Sequence, residues 1–175
     1  RRVICVSQTP APGMPATACS RHGRLGLAPH CQAFDVGLGC SGYVYGAWLA
    51  SALMTIGLRR VLLLAGDTSS RMVDPNDRST ALLFGDAGSA SAFEYDPDAP
   101  PCYFNLGTDG KGANFLTVPG GGFRPVDPQA TDANYLHMDG SSVFGFTIGT
   151  VPKLIKAVLE QANVSKDDVD LFALH

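Results

Sequence analysis

Apolar residues in this chain fall in short runs closed by glycine, proline or charged residues, with two longer stretches of helical character among them. Residues 3–6, 31–36 and 61–65 are short, largely apolar segments between turn formers, the pattern of strands, and 61–65 is continuous enough to be covered on both faces. Residues 16–27 predict a helix ended by Gly26 and Pro29, and residues 41–56 predict a buried helix with Gly57 as its C-cap and Arg59-Arg60 as a solvated helix end. Residues 141–163 place Phe144, Ile148, Val151, Ile155, Val158 and Leu159 on one helical face. Pro152 removes one backbone donor from that stretch and bends it, unless it marks the true start of the helix. Ser165-Lys166-Asp167-Asp168 has the form of a capping box on a single turn, and residues 103–106 and 169–174 predict two more strands.

Loops fill the intervals. Residues 9–15 are proline-rich, and residues 66–78 carry the turn signal Asp74-Pro75-Asn76-Asp77. The apolar segments 81–84 and 89–95 are broken by Gly85-Asp86-Ala87-Gly88, which lacks the lysine and spacing of a phosphate-binding loop and reads as a tight turn. Residues 107–132, rich in Gly, Pro and Asp, predict a surface excursion of the kind that lines a substrate entrance or merely connects. Residues 96–101 read as a linker between a first part, 1–95, and a second, 102–175. No internal repeat is visible, and strands alternating with helices predict an α/β layered sheet.

With 175 residues and 45% hydrophobic content the chain can bury a sizeable core as one domain or part of a larger one. A net charge of −3 without a lysine or arginine block offers nucleic acid nothing to bind. The five cysteines, Cys5, Cys19, Cys31, Cys40 and Cys102, are odd in number and too scattered for a disulfide framework or a zinc site. A reducing cytoplasm and no metal are the expectation. Arg1-Arg2-Val3-Ile4-Cys5 resembles a core strand rather than a leader, as if the chain began mid-fold. Residues 36–58 hold no charge over a length that could cross a bilayer, but the glycines, the hydroxyls and the strand that follows favour a helix at the centre of a layered protein.

The candidate chemistry lies in Ala33-Phe34-Asp35-Val36-Gly37-Leu38-Gly39-Cys40-Ser41-Gly42. A strand stops at glycines that permit a sharp reversal, and Cys40 arrives at the first turn of the following helix. Unpaired N–H groups and the helix dipole favour the thiolate there, which is the reactive form. Gly39, Ser41 and Gly42 leave room for a carbonyl carbon to reach the sulfur. The residues alone leave two readings open, a nucleophile or a buried structural cysteine. His175 closes an apolar segment, and side chains at the carboxyl ends of strands form active sites in α/β folds; a structural histidine is the other reading. His22, His30 and His137 receive no role.

These residues resemble a known family. Asp35-Val36-Gly37-Leu38-Gly39-Cys40-Ser41-Gly42, Asp74-Pro75-Asn76-Asp77-Arg78-Ser79-Thr80, Phe84-Gly85-Asp86-Ala87-Gly88, Leu136-His137-Met138-Asp139-Gly140 with Val143-Phe144, and His175 are similar, in this order, to the motifs of β-ketoacyl-acyl-carrier-protein synthase III, of the thiolase superfamily. The resemblance implies a thiolase-like layered αβαβα architecture, incomplete in this chain. Residues 1–95 would be the later part of the N-terminal half and 102–175 the first part of the C-terminal half.

It further implies a decarboxylative Claisen condensation that starts fatty-acid or related acyl-chain synthesis. Cys40 would take an acyl group from acyl-CoA, and the enolate of malonyl-acyl carrier protein would attack that thioester. His175 matches the histidine that stabilises the enolate oxygen, Arg78 an arginine near the CoA nucleotide, and Phe144 a residue of the pantetheine channel; a surface loop charge and an apolar core residue are the plain alternatives for the last two. The family implies a homodimer and no cofactor beyond acyl-CoA as substrate. Family members are about twice as long and continue after the histidine with Gln-Ala-Asn and a later catalytic asparagine, so an excerpt of a longer enzyme is expected, inactive on its own. Gly145 stands where some members carry a basic residue for carrier-protein docking, and Leu174 replaces a frequent proline. Acyl transfer to an alcohol or amine, and a non-catalytic partner subunit, are the alternative functions.

Overall fold

The computed structural model describes residues 1–122 and 133–175. The chain divides into two compact units, Arg1–Thr68 with Asp86–Cys102, and Ser69–Gly85 with Tyr103–His175.

The first unit is a four-stranded sheet with a helix on each face. Strands β1 (Arg2–Val6), β2 (Gln32–Val36), β3 (Arg60–Thr68) and β4 (Asp86–Glu94) lie in the order β2-β1-β3-β4. β1 runs parallel to β2 and β3, Ile4 pairing with Phe34 and Leu63, while β4 returns antiparallel to β3. Strand side chains alternate between faces, and here both faces are apolar. Ile4, Val6, Val61 and Leu63 pack with Ala50 of helix α2 (Gly42–Thr55). Val3 and Cys5 pack with Ala18 of helix α1 (Thr17–Arg24) and with Cys31.

The first half of α2 comes close to the sheet because Gly42 and Gly46 carry no side chain there, and Leu49, Leu53 and Met54 pack further along. Gly42, Gly46 and Ala50, spaced four apart, are its buried residues. A Cβ on Gly46 would stand 2.6 Å from Leu63 Cδ1, and one on Gly42 would overlap Val6. Tyr43, Val44 and Trp48 on other flanks are exposed. At 14 residues α2 is about 21 Å long, short of the ~30 Å of a bilayer core.

The second unit holds two short antiparallel strands, β5 (Leu116–Thr117) and β6 (His137–Met138), and the helix α3 (Gly140–Ala162). Asp139 caps α3 by accepting from Ser142 N–H at 3.1 Å, and Asn163 ends it in the left-handed region, φ 54°. α3 passes through Pro152, so the proline is neither its start nor its end. Among the described residues α3 alone is long and apolar enough to cross a membrane by length and composition, a measure that core helices also meet.

The capping box at 165–168 is present on a 3-10 turn, Lys166–Asp168. Several local expectations need correction. Asp86, Ala87 and Gly88 form no tight turn: they open β4, paired with Thr68, Asp67 and Gly66. The backbones pass so closely that a Cβ on Gly66 would lie 2.6 Å from Ala87 O, so glycine serves close strand approach there. Arg60 is no helix end but the first residue of β3, ion-paired with Glu94 at 2.6 Å, and Arg59 lies 4.6 Å over the Tyr95 ring. Residues 103–106 and 169–174 form no strand, since strand structure needs a partner's ladder hydrogen bonds and composition alone does not supply them. Part of the expected 107–132 excursion, residues 123–132, lies outside the described residues.

Candidate active site

Cys40 is exposed on the turn that joins β2 to α2, two residues ahead of the first helical residue. Gly42 N–H donates to Gly39 O at 2.7 Å and Tyr45 N–H to Ser41 O at 3.1 Å, so the chain coils into the helix immediately after the cysteine. Ser41, the N-cap residue, makes no side-chain cap hydrogen bond. The helix dipole places its positive end beside the cysteine. Within this chain Cys40 is not buried.

The glycines before it act differently from expectation. Neither Gly37 nor Gly39 is among the residues with positive φ. Gly37 has open space where a Cβ would be, whereas a Cβ on Gly39 would overlap Gln8 Oε1 and stand 3.2 Å from Gln8 Cδ. Gly39 therefore makes room for another side chain rather than for a bend.

Two carboxylates that sequence reasoning left unassigned hold this end of the sheet together. Asp67 Oδ1 accepts from the Ser7 hydroxyl at 2.9 Å, Gln8 N–H at 2.7 Å, Thr9 N–H at 3.0 Å and the Thr9 hydroxyl at 3.0 Å. Thr68 N–H closes the cluster on Thr9 Oγ1 at 2.8 Å. Asp35, five residues before Cys40, accepts from Thr17 N–H at 2.6 Å and Ala18 N–H at 2.7 Å, capping α1, whose own N-cap residue Ala16 has no polar side chain. For Asp35 the available signal was an aspartate inside a largely apolar strand, whereas Asp67 fell in the stretch 66–78 that the sequence marks as loop. Cys5, by contrast with Cys40, is buried, and burial followed by the charge of Asp35 pushes its thiol pKa up. It is poorly suited to ionise.

The other candidates lie in the second unit. Arg78 is exposed on the turn that follows Asp77. Asp77 shapes that turn by accepting from the Thr80 hydroxyl at 2.6 Å, the Ser79 hydroxyl at 2.7 Å and Ser79 N–H at 2.9 Å, and the same bonds hold its carboxyl below the usual carboxylate range. Thr80 is almost wholly buried, which fixes the turn from below. Phe144 is 65% exposed on α3, so it is not an apolar core residue within this chain. His175 is exposed on a segment without regular structure. A groove between the end of α3 and the 3-10 turn, lined by Ile155, Leu159 and Val164, includes none of these residues. Among the described residues no group of three or more His, Cys, Asp and Glu is placed to hold a metal ion.

Residues 34–110 match the family model of 3-oxoacyl-[acyl-carrier-protein (ACP)] synthase III. The chain is 35% identical to the beta-ketoacyl-[acyl-carrier-protein] synthase III of Campylobacter fetus, over 99% of this chain and 54% of that protein. With its counterpart in Clostridioides difficile the identity is 33%, over 99% and 54%. A crystal structure of 3-oxoacyl-(acyl-carrier protein) synthase from Burkholderia xenovorans superposes with a TM-score of 0.89 at 45% identity, covering 98% of this chain and 51% of that one. The chain spans about half the length of the curated relatives it matches. The expected thiolase-like α/β fold, incomplete in this chain, is borne out by these likenesses.

Proposed function

We propose, on the premise that this chain belongs to the 3-oxoacyl-[acyl-carrier-protein] synthase III family, that the intact protein condenses an acyl-CoA primer with malonyl-acyl carrier protein. The Cys40 thiolate attacks the acyl carbonyl, the carbon–sulfur bond to CoA breaks, and CoA leaves as its thiol after taking up a proton. Malonyl-acyl carrier protein then loses carbon dioxide, and the electron pair of the broken carbon–carbon bond becomes an enolate. His175 donates a hydrogen bond to the enolate oxygen, a fixed donor where negative charge develops. The enolate carbon attacks the acyl-Cys40 carbonyl, expels the Cys40 thiolate, and yields a 3-oxoacyl thioester two carbons longer.

Arg78 pairs with a phosphate of the CoA nucleotide or stacks on its adenine, as a planar cation does. Phe144 contributes an apolar wall to the pantetheine channel. Residues 1–95 and 102–175 contribute to the two thiolase-like halves, two copies form a homodimer in the cytoplasm, and no resident cofactor takes part.

The observation that carries this reading is the exposed cysteine on the β2–α2 turn, set in a run of family motifs that keep their order along the chain. Incubating the intact protein with labelled acyl-CoA tests it. Label on Cys40 that vanishes in Cys40→Ala, followed by carbon dioxide release and a two-carbon-longer product when malonyl-acyl carrier protein is added, supports condensation. Label that moves instead to an alcohol or amine acceptor redirects the reading to acyl transfer, and an unlabelled Cys40 in the unmodified protein defeats both.

A further inference from the structure

Gln8 is the side chain that seats on the residue before Cys40, and its backbone is anchored from outside the turn. Its carboxamide lies where a Cβ of Gly39 would be, which puts Gln8 Cδ within about 5 Å of the Gly39 Cα. Its backbone N–H is fixed by Asp67 Oδ1, and the residues on either side, Ser7 and Thr9, are bound to the same oxygen. A carboxylate oxygen that accepts four hydrogen bonds holds its donors more firmly than neutral acceptors would. The segment that carries Gln8 is thus tied to the end of β3, while Cys40 is carried by β2 and α2. The two pieces meet at Gly39 as well as through the Ser7 N–H bond to Val36 O at 3.2 Å.

We infer that Gln8, held in place by Asp67, is a specificity-determining residue that limits the size of the electrophile Cys40 can accept. The inference rests on Cys40 as the acyl-accepting sulfur but concerns the space beside it. A carboxamide on the flank of the turn restricts bulk near the sulfur and offers one acceptor and two donors to a polar group there. Removal of Gln8 beyond Cβ opens that flank, and release of the 7–9 segment from Asp67 lets the carboxamide move away.

The test uses the intact protein and two thiol reagents that share one reacting group and differ in bulk, iodoacetamide and N-phenyl-iodoacetamide, with the Cys40 peptide followed by mass spectrometry. Gln8→Ala is expected to raise the rate ratio of the bulky to the small reagent at Cys40 by at least about fivefold. Asp67→Ala, where it folds, is expected to do the same. A ratio in Gln8→Ala within about twofold of the unmodified protein overturns the inference. A parallel arm compares transfer from acetyl-CoA and from isobutyryl-CoA, and Gln8→Ala is expected to favour the branched group relative to the unmodified protein. If the alkylation ratio shifts while the unmodified protein takes no acyl group from either CoA, the size filter stands and the condensing function falls.

Discussion

Gly46 of α2 faces Leu63 of β3 so closely that a Cβ on the glycine would stand 2.6 Å from Leu63 Cδ1 and 3.1 Å from its Cδ2. Leu63 is wholly buried and has nowhere to retreat. Gly46→Ala gains up to about 1 kcal/mol of helix propensity but forces the helix off the sheet, and overpacking of this kind costs about 1–3 kcal/mol. A net loss of stability, read as a lower urea midpoint for the intact protein, is expected. An unchanged or higher midpoint would show that α2 has slack against β3.

Asp35 supplies from β2 the cap that α1 lacks in its own sequence. Asp35→Ala strands two N–H groups, and loss of a cap costs about 0.5–2 kcal/mol. Asp35→Asn retains one acceptor and is expected to lose less. Equal midpoints for the two variants in urea unfolding would count against a capping role.

Asp139 is held below the ordinary carboxylate pKa of 3.8, chiefly by the Ser142 hydroxyl, then by Ser142 N–H and the Ser141 hydroxyl. Because the folded value is depressed, what this carboxylate contributes to the start of α3 is present above the ordinary value. It is lost as pH falls through the lower folded one. An NMR titration of the Asp139 carboxyl is expected to show a midpoint below 3.8, with Ser142 N–H exchanging faster beneath it. A midpoint at or above 3.8 would refute the cap geometry.

The two proposed roles in the second unit separate kinetically. Arg78→Ala removes a pairing made equally in the ground and transition states, so KM for acyl-CoA is expected to rise about 10-fold with acylation at saturation little changed. His175→Ala is expected to leave Cys40 acylation intact and slow carbon dioxide release by about 100-fold or more. Loss of acylation in His175→Ala, or of saturated rate in Arg78→Ala, would reassign them.

The elements most legible in the sequence are those whose partners do not matter to the pattern. β1, β2 and α2 appear near their expected bounds, because mostly apolar runs closed by polar residues or glycine are local properties. The start of β4 is illegible for the opposite reason. Gly85-Asp86-Ala87-Gly88 has turn composition, and only β3 beside it makes a strand of it. Residues 103–106 and 169–174 show the converse, with strand composition and no strand. At the site, Cys40 stands out by its glycine surroundings, but the Asp67–Gln8 contact joins residues 59 apart and leaves no local trace.

Small residues on the inner flank of α2 let the start of the helix rest on the sheet by its backbone, with Leu49, Leu53 and Met54 packing further along. Where the sulfur stands is therefore inherited from main-chain geometry. Descendants of this sequence can vary the exposed Val44 and Trp48 without displacing the sulfur of Cys40.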